Sequence, residues 1–480
     1  STILSAALGL PLAYLMRSVK IKGSSFLNIL IVISYLSPPF IGAYAWIQML
    51  GRQGVITQFL NDTFGLHYGG VYGFVGIVLV FTLQSFPLVY IYVSGALKNL
   101  DNSLNEAAES LGCSRMGRIW KIIVPLVMPT LLASSMLVFM RVFADFGTPM
   151  LIGEGYKTLP VLIYNQFMGE VSGDDGFAAA ICCIVIGLTI VMFFVQRFLA
   201  GRNTYAMTAL KPMAAESLSG LRNILAHLAV YMVVGLAILP QFVVVYTSFL
   251  ATNGGQVFTG GFALQSYDAT LFAKDNDVIW HTYFLGLCAI AAVLVLGVLI
   301  AYLSVRKRNT LNSILDVITM FPFIIPGSVL GIAFVFAFNK SPIILTGTAL
   351  IMIISFAVRR MPYTVRSSTA ILGNISPSIE EAAISLGASD MTTFRKITVP
   401  MMMPGVLSGA IMSWVTIISE LSSSIILYTN STQTLTVSIY TEVIRGNYGN
   451  ASAYATILTV TSILSLLLFY KVTGRRDVSV

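Results

Sequence analysis

The sequence predicts an all-α polytopic membrane protein made of two related halves, with about eleven helices crossing the bilayer. Three observations carry that expectation. Apolar residues make up 56% of the chain and charged residues 10%, with mean hydropathy +0.84, too apolar for a soluble chain of 480 residues. Apolar stretches of roughly twenty residues, enough to cross ~30 Å of hydrocarbon at ~1.5 Å per residue, recur throughout. One polar segment also occurs twice, as EAAESLGCSRMGRIWKIIVPLVMP at 106–129 and EAAISLGASDMTTFRKITVPMMMP at 381–404, an offset of 275 (381 − 106).

In chain order the expected spans cover 2–16, 26–50, 71–96, 126–145, 177–199, 224–249, 280–304, 311–338, 345–368, 402–428 and 452–472. The first is short, and Tyr14 and Pro38 align with Tyr302 and Pro326 at an offset of 288. Ser1 therefore matches a position well inside a helix, and the expectation is a shortened N-terminus with twelve spans in the intact protein.

Lys and Arg beside span ends set topology, because they are retained on the cytoplasmic side. Arg17, Lys20 and Lys22, then Arg197, Arg202, Lys211 and Arg222, then Arg306, Lys307 and Arg308, then Arg359, Arg360 and Arg366, then Lys471, Arg475 and Arg476 are all read as belonging to that face. Both copies of the repeated segment are then cytoplasmic. The net charge of +8 reports topology rather than nucleic-acid binding, since it sits beside spans and not on a separate basic domain.

The repeat extends beyond the polar segment. Pro87 pairs with Pro362, Asp145 with Glu420, and TLPVLIY at 158–164 with TLTVSIY at 434–440. A longer loop at 51–70 accounts for the change of offset from 288 to 275. The expected organisation is a first half at 1–200 with a polar loop at 97–125, a cytoplasmic linker at 201–221, and a second half at 222–480 with its loop at 372–400. The halves are expected to be parallel repeats, not inverted ones.

Within each copy the spacing predicts a short amphipathic helix. Leu104, Ala107, Ala108 and Leu111 fall at i, i+3, i+4 and i+7, and Ile379, Ala382, Ala383 and Leu386 repeat the pattern. Ser103 with Glu106, and Ser378 with Glu381, fit a capping box. Gly112 and Gly387 are placed to end the helix in a left-handed conformation. Ser114 and Ser389 can cap a second helix, and Pro125 and Pro400 are expected to begin the return into the membrane. A lone copy could be an interfacial helix on lipid. Two copies with small alanine faces suit protein grooves better, because bilayer surfaces favour bulky apolar residues.

With these features the chain resembles the permease subunits of type I ABC importers, whose cytoplasmic loop carries EAA, then Gly, then Ile and Pro. The resemblance covers nearly all of the chain. It implies two ATP-binding cassette subunits on the cytoplasmic face and a periplasmic solute-binding protein on the outer face, in a bacterial inner membrane. Glu106, Ala107, Ala108, Gly112 and Pro125, with Glu381, Ala382, Ala383, Gly387 and Pro400, would dock the ATPases. ADFGTPMLIG at 144–153 and SELSSSIILYT at 419–429 are most similar to the fused permeases of ferric-iron importers, with thiamine and phosphonate permeases as alternatives.

The chain itself is not expected to be an enzyme. It has no G-x-x-x-x-G-K-[ST] phosphate loop, so ATP and Mg would be bound by partner subunits and no cofactor by this chain. His67, His227 and His281 show no metal-ligand spacing, and no metal site is expected. Cys113, Cys182, Cys183 and Cys288 read as packing residues. Charged residues at membrane depth are the better pointers. Arg141 and Asp145 can pair across one helical turn, and Glu420 stands at the place of Asp145, beside Ser422. These residues either flank the outer mouth of a pathway or are interface residues at helix ends. An ion-coupled secondary carrier, with no ATPase partner, is the competing function class.

Overall fold

The computed structural model describes residues 1–65, 69–169, 175–201, 215–253, 257–272, 277–307 and 309–473. Helix dominates, and two compact units form, one from Ser1–Val161 with Ile186–Tyr246 and the other from Leu162–Val185 with Thr247–Arg476.

The chain opens with α1 (Thr2–Ser18), α2 (Ser24–Leu36), α3 (Pro39–Leu50), α4 (Val55–Phe64) and α5 (Gly73–Lys98). The first polar segment follows as α6 (Ser103–Ser110) and α7 (Arg115–Arg118), leading into α8 (Val124–Ala144), α9 (Gly147–Ile152), α10 (Leu159–Met168) and α11 (Asp175–Gly201). Next come α12 (Gly220–Ser248), a hairpin of β1 (Leu250–Asn253) and β2 (Val257–Phe262), and α13 (Gln265–Leu271). The first series then recurs in the same order. α14 (Val278–Arg306) matches α1, while α15 (Thr310–Ile318), α16 (Phe321–Ile324) and α17 (Gly327–Phe338) match α2 and α3. α18 (Ala349–Asn374), α19 (Pro377–Ser385), α20 (Asp390–Thr393), α21 (Val399–Ile418), α22 (Ser424–Leu427), α23 (Leu435–Arg445) and α24 (Tyr448–Thr473) complete it.

Among the described residues, seven helices are long and apolar enough to cross a membrane, and nine spans result if each of two bent pairs counts as one. The other two expected spans are α1, at 17 residues, and α18, which carries Arg359, Arg360 and Arg366. Two expectations need correction. The stretches 26–50 and 311–338 are broken, because the residue before proline is pushed out of the α region: Ser37 has ψ 139° and Ile325 ψ 132°. The helices on either side of Ile325 and Pro326 bend by 111°. The span placed at 402–428 ends at Ile418, and the residues beyond it turn back through α22.

Each unit is built on three mutually packed helices, α1, α5 and α8 in one and α14, α18 and α21 in the other. Leu12, Ala13, Val89, Val93, Leu97 and Val127 are buried in the first core; Leu285, Ala289, Val293, Met352 and Phe356 are buried in the second. Glycine sets the closest approach. A Cβ at Gly9 would lie 2.7 Å from Val89 Cβ, and one at Gly297 would lie 2.9 Å from Thr364 Cγ2, equivalent contacts of α1 on α5 and α14 on α18. Small residues let apolar helices meet backbone to backbone where lipid offers no hydrophobic drive for association.

Of the stretch expected as a linker, residues 202–214 lie outside the described residues, as do His67, Arg308, Arg475 and Arg476. Glu216 pairs with the end of α1, through Lys20 N to Glu216 O at 3.0 Å and Glu216 N to Ser18 O at 2.9 Å.

Candidate functional site

The two polar segments fold alike. At α6, Leu111 is followed by Gly112 at φ +77°; at α19, Leu386 is followed by Gly387 at φ +89°. Gly112 N donates to Glu109 O (2.9 Å) and Cys113 N to Ala108 O (2.9 Å). Gly387 N donates to Ile384 O (2.9 Å) and Ala388 N to Ala383 O (3.1 Å). Both ends are Schellman motifs, in which glycine takes the left-handed position without a Cβ penalty. Ser114 Oγ then accepts from Gly117 N at 3.2 Å and Ser389 Oγ from Thr392 N at 3.3 Å, capping α7 and α20 as expected.

The helix starts differ from the expected capping boxes. Asn102 is the N-cap of α6, and its side chain donates to Glu106 Oε1 at 2.9 Å; Ser376 caps α19 and accepts from Ser378 N at 3.4 Å. The start of α6 is held instead by Asp101, whose Oδ1 accepts from Ser103 N at 2.9 Å, and the start of α19 by Ser376, two positions before the expected Ser378.

Pro125 and Pro400 are also placed differently from expectation. They lie inside continuous helical runs, Arg115–Ala144 and Asp390–Ile418, rather than at the start of a new span. Ahead of each is a π turn, Ile119–Ile123 and Phe394–Thr398, closed by Val124 N to Ile119 O and Val399 N to Phe394 O. Proline lacks an N–H and clashes with the carbonyl four residues back, and a widened turn accommodates both.

The expected apolar face is divided. Ala108 and Ala383 are buried, whereas Glu106, Ala107, Glu381 and Ala382 face outward. Leu111 is 88% exposed and Leu386 90%, joined by exposed Leu104, Met116 and Trp120 in the first copy and Ile379 and Met391 in the second. Exposed bulky apolar residues gathered on a short polar loop are the kind of feature that marks an interaction site. Each loop also joins two of the three core helices of its unit, α5 to α8 or α18 to α21.

The residues proposed for a pathway have definite surroundings. The Arg141 guanidinium lies over the Tyr35 ring at 4.7 Å, and Asp145 Oδ1 accepts from Thr148 N at 2.9 Å. Glu420 makes the equivalent cap, accepting from Ser423 N at 3.2 Å, but it is only 4% exposed. Its two carboxylate oxygens are held separately by Arg359 Nη1 and Arg360 Nη2. Ser422 is half-buried, its Cβ 2.6 Å from where a Cβ on Gly327 would stand. Arg359 and Arg360 therefore do not belong with the charges at span ends: they sit some ten residues into α18, about 15 Å along it, sharing one buried acid. Gln84 and Ser85 occupy their positions in the first half, so the pair is peculiar to the second.

Among the described residues no three His, Cys, Asp or Glu side chains are grouped to hold a metal ion. His227 is structural: Nε2 accepts from Lys22 N at 3.2 Å, and Nδ1 contacts Asn223 O at 2.8 Å. Cys182 is buried as a packing residue should be, but Cys183 is exposed.

Residues 6–205 and 293–476 both match the family described as the inner membrane component of binding-protein-dependent transport systems. The chain belongs to that family. Over 98% of its length the permease is 31% identical to the ferric transport system permease protein of Actinobacillus pleuropneumoniae, 69% of which is covered. A putative ferric transport system permease protein of Haemophilus influenzae is 31% identical over 90% of this permease and 69% of its own length. The molybdenum transport system permease protein of Escherichia coli is 27% identical over 42% of this permease and 87% of its own length. As a member of the family, the permease is a multi-pass transport subunit that forms a translocation pathway.

Two features escaped sequence reasoning. Arg359 and Arg360 were grouped with the topology-setting charges, although an arginine pair ten residues into an apolar stretch was itself a signal for a buried counter-ion. The second is Glu380, one residue before the EAA triplet. It accepts from Arg306 and Thr398, whereas the first copy has the neutral Asn105 there.

Proposed function

We propose that this permease imports ferric iron delivered by a periplasmic binding protein, driven by two ATPase subunits that dock on the loops around α6 and α19. The observation that carries the docking is the pair of equivalent short helices, each stopped by a left-handed glycine and each presenting an almost fully exposed leucine that its own chain leaves uncovered. Two such knobs call for two equivalent grooves. ATP binding that closes the grooves would displace the loops and tilt α5 against α8 and α18 against α21, a rigid-body change of state. In this arrangement both loops are cytoplasmic, ATP and Mg stay with the partners, and Glu106, Ala107, Ala108 and Pro125, like Glu381, Ala382, Ala383 and Pro400, shape the docked surface.

Ferric iron as cargo is supported by the two ferric permease relatives, whose likeness spans nearly the whole chain. Arg141, Asp145, Glu420 and Ser422 are assigned to the pathway region at the helix ends on the opposite side from the loops. The test is reconstitution of the permease with its ATPase and binding-protein partners in liposomes, supplied with ferric iron, molybdate or thiamine. ATP-dependent uptake of iron alone is the expected result. Uptake by the permease without an ATPase would overturn the reading.

A further inference from the structure

The second loop is fastened to the core by a network built on a shielded ion pair and a hydroxyl. Arg306, in the last turn of α14, donates through Nε to both oxygens of Glu380 at 3.1 Å and through Nη2 to Ile375 O at 2.9 Å. Glu380 Oε1 also accepts from Thr398 Oγ1 at 3.0 Å, across the π turn that leads into α21. The Arg306 and Glu380 side chains are 10% and 13% exposed. One turn deeper, Tyr302 and Phe394 meet edge to face with ring centroids 4.8 Å apart. Charge-assisted hydrogen bonds are short and directional, and a side chain held by several of them at once has a fixed geometry.

At the equivalent places the first half has Ser18 for Arg306, Asn105 for Glu380, Ile123 for Thr398 and Ile119 for Phe394. With a neutral Asn105 no such ion pair can form there. The described residues of that copy instead have ion pairs between Arg118 and Glu109, joining α6 to α7, and between Arg115 and Glu216, which pairs with the end of α1; the two acids are 65% and 63% exposed. Exposed pairs of this kind contribute little.

We propose that Arg306, Glu380 and Thr398 are positioning residues that make the second loop a rigid lever. Any displacement of α19 passes directly to α14 and α21. This rests on the docking role proposed above and adds the bonds through which the second loop acts on its core helices.

The test uses the full transporter, with its ATPase subunits, in lipid nanodiscs and in liposomes. Spin labels at Ser385 and Leu303 report the distance between α19 and α14. In the otherwise native protein that distance is expected to stay the same on adding MgATP and vanadate. Glu380→Asn, which installs the residue of the first copy, should let it shift and broaden, and should lower the ferric iron moved per ATP by about fivefold or more, a modest coupling energy. ATPase co-purification should be unchanged, and Arg306→Lys, which keeps a cationic donor, should move the distance less than Glu380→Asn does. An unaltered distance in Glu380→Asn, or loss of the ATPase subunits from it, overturns the proposal. Leu386→Glu separates the two readings. If it keeps its ATPase subunits, the docking role itself fails; if it releases them while Glu380→Asn behaves as native, only the lever fails.

Discussion

Arg359 in the middle of α18 and Glu420 just beyond the end of α21 form a buried ion pair, at 7% and 4% exposure, with Arg360 on the second carboxylate oxygen. Removing the acid would leave two arginines facing one another without a counter-ion. Glu420→Ala is therefore expected to destabilise the permease by about 3–5 kcal/mol, the cost of an uncompensated buried charge. Arg360→Met, which leaves the Arg359 pair intact, should cost much less. Thermal unfolding in detergent compares the two, and equal midpoints would show that the acid is not the shared anchor.

Gly387 adopts φ +89°, and its N–H closes the end of α19. Proline can supply neither. Gly387→Pro should distort the loop at a local cost of order 1–3 kcal/mol, leaving the permease in the membrane while ATP hydrolysis no longer drives uptake. The check is uptake and hydrolysis measured side by side, and unchanged uptake would count against the loop as transmitter.

Leu111 and Leu386 are almost fully exposed, so replacing them barely alters the isolated chain. For Leu111→Glu and Leu386→Glu the change in stability should remain within about 0.5 kcal/mol, as for other surface substitutions. Affinity for the ATPase subunits should nonetheless fall by about tenfold or more if these leucines are the anchors of the docked surface. Titration of purified ATPase onto nanodisc-held permease measures it.

Gly9 and Gly297 let α1 approach α5 and α14 approach α18. Gly9→Val and Gly297→Val should each lower stability by about 1–3 kcal/mol through overpacking. Gly95, whose missing Cβ would meet nothing within 4 Å, is the control and should tolerate alanine. Similar unfolding midpoints for all three variants would refute the close-packing argument.

How much of this was legible depends on how local the cause is. The glycine stops at Gly112 and Gly387 and the serine caps at Ser114 and Ser389 were readable because each is made by bonds spanning three to five residues. The capping boxes were misplaced because Asp101 and Ser376 take up amides at the helix starts ahead of Ser103 and Ser378, and spacing alone does not rank such competitors. The prolines at 125 and 400 stand out in the sequence as points of return into the membrane, but nothing in the sequence shows the π turn ahead of each that absorbs the missing N–H.

The sequence by itself determined the membrane class, the duplication and the position of the two loops, because hydrophobic length and repeated motifs are properties of the chain read in order. Only the tertiary structure decided which charges meet. Arg359 finds Glu420 across 61 residues and Arg306 finds Glu380 across 74, through helices that must first pack before a buried charge has a partner. That is why the two halves look nearly equivalent as sequences and yet hold their loops by different means.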